Sequence, residues 1–310
     1  HIPQLVQFCK IQLAMAQKIA DRDGFTINVT KFGDLYLPPV LEFGKHQEVL
    51  SNIPKMKCYN DDVIICAFPK CGTHWVWEIC NKIMYGTLET VAKSKIKAML
   101  DVCLTEDIAS IPSPRLINSH LPPSLLPVEI FQKKCKILFP VRDPRDVTVS
   151  HFHHLKNSKI TDYNGPWDNF LEISLDGKAT YGSIFEYMEK WEIFLQENPE
   201  IPLLVVHYED LKQNIVEGIK RIGEFLEIPL AENIVQAISD GVDFKYVKSN
   251  EHLIYNEQMR MRMFKNMSSS FYRKGIVGDW KNYFTVAQRE SFQTRFQERM
   301  KKSRFLSRYA

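Results

Sequence analysis

Short apolar runs alternate along the chain with longer stretches of helical period, a pattern that predicts strands each followed by a helix. Val63 to Phe68 is apolar and β-branched, the profile of a buried parallel strand, and Pro69 ends it because proline cannot donate to a strand ladder. Thr73 to Tyr85 then reads as a helix. Arg115 to Asn118 is a second strand, running into a loop forced by Pro122 and Pro123. Lys136 to Val141 is a third, with Pro140 expected at its end. Leu203 to His207 is a fourth, followed by an amphipathic helix over Glu209 to Leu226. Strands and helices at this spacing predict an α/β chain with a central parallel sheet flanked by helices on both faces. Upstream, Leu5 to Gly24 places apolar residues at helical spacing, so an N-terminal helix is expected there. Neither internal repeats nor low-complexity tracts interrupt the pattern, and no linker divides it.

In an open parallel sheet, ligands gather at the carboxyl ends of the strands. The residues just beyond those ends are Lys70, His120, Arg142 and Tyr208, all able to bind or react with an anionic substrate. Any one of them is equally well a polar residue capping a strand; their recurrence at equivalent points argues for a site. After the first strand, Gly72 lets the backbone approach an anion without side-chain interference. The first N–H groups of the following helix, its dipole and the Lys70 ammonium then favour negative charge. A phosphate fits this cradle. The loop is not a Walker A loop: Lys70 precedes Gly72 and the required first glycine is absent, which argues against an ATPase or kinase.

A second anion element follows the third strand. Asp143 is a good N-cap and Pro144 a good first helical residue, so a helix starting there carries Ser150 in its second turn. Arg142 and the Ser150 hydroxyl could then hold one phosphate between them, with a charged turn as the alternative reading. A third basic stretch, Phe271-Tyr272-Arg273-Lys274-Gly275, sets adjacent cations among aromatics and glycine, suited to covering a nucleotide or to a plain solvated loop.

Composition narrows the class. With 310 residues, 45% of them apolar and 25% charged, the chain has the makeup of a globular protein within the range of one α/β domain, 1–310. A net charge of +3 is too mild to imply a nucleic-acid or membrane partner. Seven cysteines scattered through apolar segments do not form a disulfide framework and suggest reduced thiols in the cytoplasm. Cys66, Cys71 and His74 raise a zinc reading, but Cys66 sits within a strand run and no second ligand pair follows at finger spacing. The run His151, His153, His154 reads as pocket-edge imidazoles in preference to a metal site. Lys10 and Lys18 interrupt the N-terminal stretch, unlike a signal peptide, and no apolar run approaches ~18 residues, so no membrane span is expected. The glycosylation acceptors at Asn28 and Asn266 read as chance matches.

Taken together, P-K-x-G-T-x-W at Pro69 to Trp75, Ser119-His120-Leu121-Pro122, R-x-x-x-D-x-x-x-S at Arg142 to Ser150 and R-K-G-x-x-G-D-W at Arg273 to Trp280 resemble the cytosolic sulfotransferases. The four motifs occur in the family's order across about Asp61 to Glu290. The resemblance implies an enzyme that moves a sulfuryl group from 3′-phosphoadenosine-5′-phosphosulfate (PAPS) to a hydroxyl of a small, mostly apolar acceptor such as a phenol, alcohol or steroid-like molecule. PAP would be the product and no metal would be needed. It further implies that Lys70, Cys71, Gly72, Thr73 and His74 hold the 5′-phosphosulfate and that Trp75 and Phe244 stack on adenine with Tyr208 at its edge. Arg142, Ser150, Arg273, Lys274 and Gly275 would take the 3′-phosphate, with Phe271 and Tyr272 also among the cofactor-binding residues. His120 would be the general base, Lys70 would neutralise charge on the leaving oxygen, and Ser150 would restrain Lys70 until the acceptor binds. Residues 1–60 would supply the N-terminal helix and acceptor-side loops, and 61–290 the core.

Three positions depart from the family pattern: Asn118 stands where many members have a lysine, His74 where a threonine precedes the stacking tryptophan, and Val242 where a threonine commonly binds the nucleotide. They leave open a catalytically degenerate protein that binds PAPS or PAP without turnover. Lys281, Thr285, Val286 and Glu290 match the family's short dimer segment, which implies a homodimer; an intrachain loop and helix cap is the alternative. Phe25, Phe152 and Met259 could line the acceptor pocket or simply pack a core.

Overall fold

The computed structural model describes residues 14–40, 45–87, 95–255, 257–266 and 269–310. Its organising element is a four-stranded parallel sheet of β4 (Val63–Cys66), β5 (Leu116–Ser119), β6 (Lys136–Val141) and β7 (Leu203–His207), in the spatial order β5-β4-β6-β7. The registers Val63↔Leu116, Val63↔Lys136 and Ile137↔Leu203 bring the strands' carboxyl ends to one edge. Side chains alternate between faces, as the period of two requires. Ile64, Cys66, Ile137 and Phe139 enter one buried cluster, with Trp191, Phe185 and Phe296; Val63, Ile65 and Leu138 enter another, with Val76, Ile79 and Ile222. Helices therefore cover both faces.

Pro140 is tolerated inside β6 for a geometric reason. The Ile137 N–H donates towards β7, to Pro202 O at 2.9 Å, so the even positions face β4, and the β4 register stops at Leu138. The missing donor of Pro140 thus falls where the ladder has already ended.

Helices start where the sequence places caps. The Thr73–Tyr85 helix begins after Gly72, at φ +99°, and ends on Gly86 at φ +64°. In the Pro144–Asn157 helix, the Asp143 carboxylate accepts from Arg145 N–H. The helix expected over Glu209 to Leu226 is two, Tyr208–Gln213 and Ile215–Leu226. Asn214 adopts an extended conformation and its side chain accepts from Glu217 N–H, so it caps a new helix instead of continuing the old one.

The N-terminal helix is a second correction. Residues 1–13 lie outside the described residues, but Met15–Ala20 is a strand, β1, paired antiparallel with β2 (Thr26–Phe32), which pairs with β3 (Leu35–Leu37). A tight turn decides it: the Asp21 carboxylate accepts from the N–H groups of Asp23 and Phe25, and Gly24 takes φ +87°. The β-branched TINVTKF segment then offers a ladder that outweighs helical spacing. Asn28, a glycosylation acceptor in sequence, lies within β2; the acceptor at Asn266 extends into residues outside the description. Six cysteines are described and all are unpaired thiols, while Cys9 lies outside. Among the described residues no helix is long and apolar enough to cross a membrane.

The 281–290 segment is a loop leading into the Val286–Met300 helix. Thr285 caps it in a reciprocal box with Gln288, and Gln288 also contacts Trp167 and Asp168. Lys281, Thr285, Val286 and Glu290 are all exposed.

Candidate active site

One cavity of about 580 Å³ opens at the carboxyl edge of the parallel sheet. Lys70, Gly72, Thr73, His74, Trp75, His120, Arg142, Ser150, Tyr208, Phe244, Phe271, Tyr272, Arg273, Lys274 and Gly275 all line it. Cys71 does not: its side chain turns into the core beneath the loop, where burial pushes its thiol up to about 12. Residues far apart in sequence thus converge because each follows a strand or sits in a loop packed over the same edge.

The first anion element is a tight loop. Lys70 and Gly72 both have positive φ, +71° and +99°, and a Cβ on Gly72 would meet the Tyr208 ring at 2.9 Å. Glycine is required there by both conformation and space. The Thr73 hydroxyl is buried without a hydrogen-bond partner. Burial, with Arg142 and Arg273 nearby, lowers the Lys70 ammonium to about 8.

The second element sits across the cavity. Arg142 packs over the Tyr208 ring at 4.4 Å and donates to Ile276 O at 3.0 Å, while its Nε is buried and unpaired. Arg273 pairs with Asp279 at 2.6 Å through Nη2, leaving its Nε and Nη1 buried without partners. Lys274 takes the other Asp279 oxygen at 2.9 Å. Asp146, in the first turn of the Pro144–Asn157 helix, holds this loop by accepting from Gly278 N–H and Trp280 N–H. A Cβ on Gly275 would lie 2.3 Å from the Phe244 ring, at φ +67°, so glycine is needed for that approach as well. Thr73, Arg142 and Arg273 all line the cavity, and each carries a buried donor without a partner. Buried donors are normally satisfied, so the arrangement fits a polyanion with several acceptor oxygens.

Between these elements stand the aromatics. Trp75 meets Tyr208 edge-on at 5.4 Å and donates from Nε1 to Val242 O at 2.8 Å. The Lys212 ammonium lies 5.4 Å from the Trp75 ring and 5.8 Å from that of Phe244, so the two rings border one space. His74 stacks on Phe271 at 5.1 Å. Val242 therefore meets Trp75 through its carbonyl, and His74 meets Phe271 through its ring.

His120 is fixed by neighbours that the sequence did not single out. Its N–H donates to Asp101, 2.9 Å from Oδ2, and Ser119 donates its hydroxyl to the same carboxylate at 2.6 Å. His120 Nδ1 lies 2.7 Å from Ala67 O, an atom that only accepts, so Nδ1 carries the proton and Nε2 the lone pair. Burial first, and then Lys95, hold its pKa well below 6.5. Asn118 donates to Lys95 O and Ala98 O, anchoring a turn beside the strand.

Of the histidine run, His154 lines the cavity, His151 bonds Thr180 at 2.8 Å and His153 bonds the Tyr283 hydroxyl at 2.7 Å. Among the described residues no group of three or more His, Cys, Asp or Glu is placed to hold a metal ion. Val40, Ile96, Met99, Val102, Leu155 and Met259 add apolar lining to the cavity, with Lys95 among them. Phe25 is exposed and Phe152 packs in the core.

Comparison with known proteins agrees with this geometry. The family model described as "Sulfotransferase domain" matches residues 60–304. Dog Sulfotransferase 1B1 is 34% identical over 274 residues, covering 85% of this chain and 90% of the relative. Mouse Sulfotransferase 1A1 is 34% identical over 274 residues, covering 85% and 92%. Among solved structures, mouse sulfotransferase SULT7A1 complexed with PAP aligns with TM-score 0.74 at 29% identity, over 89% of this chain and 96% of that one. Retinol dehydratase with retinol and PAP aligns at 0.74 and 20% identity over 98% and 95%, a likeness of fold alone.

Proposed function

The chain belongs to the sulfotransferase family, and from that premise we propose that it transfers a sulfuryl group from PAPS to a hydroxyl of a small, mostly apolar acceptor, with His120 as general base. The observation that carries the reading is the set of buried, unpaired donors on Thr73, Arg142 and Arg273 around one cavity that also contains His120. Such a set costs stability unless an anion satisfies it.

Lys70, the Gly72 backbone, Thr73 and the first turn of the Thr73–Tyr85 helix hold the 5′-phosphosulfate end. Arg142, Ser150, Arg273, Lys274 and Gly275 take the 3′-phosphate, and Trp75 and Phe244 sandwich the adenine. When bound, PAPS supplies the sulfuryl group, whose bond to the bridging phosphate oxygen breaks as a bond to the acceptor oxygen forms, leaving PAP. His120 Nε2 takes the acceptor's proton, and its lowered pKa keeps it neutral and ready at pH 7. Lys70 neutralises charge on the departing oxygen. The apolar lining of the cavity, which includes Met99 and Val102, receives the acceptor's body.

The chain acts as one sulfotransferase domain, in the cytoplasm, where its unpaired thiols persist. It pairs as a homodimer through Lys281, Thr285, Val286 and Glu290, a reading supported by their exposure. The decisive experiment replaces His120 by alanine. Labelled-sulfate transfer falls by at least about a hundredfold, the usual scale for a lost acid–base group, while calorimetric PAP binding stays intact. Wild-type turnover in His120→Ala excludes the assigned base, and binding without transfer to any acceptor by the unaltered protein marks a nucleotide-binding module.

A further inference from the structure

The turn Lys95–Ala98 is strapped along β5. Asn118 Nδ2 donates to Lys95 O at 2.8 Å and to Ala98 O at 2.9 Å, and Leu100 N–H donates to Asn118 O at 3.0 Å. At the far end of the same segment, Asp101 accepts from His120 N–H. The strap therefore runs beside the strand end that carries His120, and it sets the Lys95 side chain in the wall of the same cavity.

Lys95 is 2% exposed, yet among the described residues its Nζ has no hydrogen-bond or ion-pair partner. The nearest compensating carboxylate, on Asp101, is occupied by Ser119 and the His120 backbone. Its neighbours along the wall, Ile96, Met99 and Val102, are apolar. An ammonium without a partner in such surroundings is unfavourable, and the cost is relieved when negative charge arrives beside it. Its proton affinity shows the strain: burial lowers Lys95 to about 7.

The reaction creates negative charge close to this point. His120, depressed by burial and by Lys95, is a weak base, so it takes a proton readily only from an acceptor whose own acidity has been raised. A cation beside the acceptor oxygen raises it. Resting on the sulfuryl-transfer reading above, we propose that Lys95 is a further catalytic residue, whose ammonium contacts the acceptor oxygen and stabilises the charge left when His120 removes its proton. The hydroxyl proton goes to His120 Nε2, the oxygen's electron pair goes to sulfur, and Lys95 stays protonated throughout. Such a contact contributes most to acceptors whose hydroxyl is least acidic, since their developing anion needs the most stabilisation.

The test compares wild type with Lys95→Met, of similar length and no charge, and Lys95→Arg, which keeps the charge. Each is assayed with para-substituted phenols of graded acidity and with an aliphatic alcohol, beside PAP calorimetry and thermal melting. Lys95→Met is expected to melt no lower than wild type and to bind PAP within about twofold. Its kcat is expected to fall by about a hundredfold or more, the scale of a lost charge-stabilising donor, and more steeply for the less acidic phenols; Lys95→Arg recovers part of the loss. Wild-type kcat in Lys95→Met, or an equal loss across all phenols, overturns the proposal. So does a rise in KM confined to carboxylate-bearing acceptors, which would make Lys95 an anchor for a remote acidic group. If wild type itself transfers sulfate to no acceptor, the family reaction falls with it; if only the variants behave otherwise than stated, this inference alone falls.

Discussion

Lys70 offers a sharp test, because its charge must be restored when the nucleotide binds. Burial and the two arginines hold it at about 8, against the ordinary 10.5. The 5′-phosphate arriving beside it favours the ammonium and returns its pKa towards the ordinary value. Binding therefore takes up a proton above about pH 8, and affinity falls as pH rises through that point. With the bound-state pKa near 10.5, the linkage makes PAP binding about tenfold weaker at about pH 9 than at about pH 7, with a limiting coupling of about 3 kcal/mol. The phosphates do not contribute to this change, since their second ionisation lies near about 6. Other groups in the cavity also respond to pH, so the quantity to read is the difference between wild type and Lys70→Met. Calorimetry in buffers of different ionisation enthalpy measures the uptake directly. A pH slope that persists unchanged in Lys70→Met would refute the reasoning, as would its absence in wild type.

Two further outcomes follow from the fold. Arg115 and Asp62 are both fully buried and joined by Arg115 Nε to Oδ1 at 2.8 Å, so Arg115→Met strands a carboxylate. It is expected to lower stability by about 3–5 kcal/mol in denaturant unfolding, and a loss below about 1 kcal/mol contradicts it. Val286 is 64% exposed in the single chain, so Val286→Glu is expected to convert a dimer into a monomer by light scattering without a change in melting; a wild-type monomer at micromolar concentration counts against the dimer.

Much of this architecture was legible in the sequence where local signals agreed. Lys136–Val141 and Thr73–Tyr85 have the bounds that their apolar runs and flanking residues predict. The strand ends carrying Lys70, His120, Arg142 and Tyr208 meet at one cavity because parallel topology forces it. What escaped depended on partners. Met15–Ala20 exposes most of its side chains, so no alternation marked it as a strand; its pairing with β2 did. Asn214 broke a helix by a single side-chain cap. Val242 contributes a carbonyl, which side-chain identity cannot reveal, and Lys95 reads in sequence as one more charge in a basic run.

The close approach of Gly275 to Phe244 also bears on how the protein comes into being. The loop bearing Gly72 leaves the ribosome long before the one bearing Gly275, yet both border the same cavity. A nascent chain that has completed its parallel sheet still lacks the cover over the nucleotide, so ligand cannot assist the early steps of maturation. It arrives as a clasp between two loops far apart along the polypeptide, once the later of them has been made.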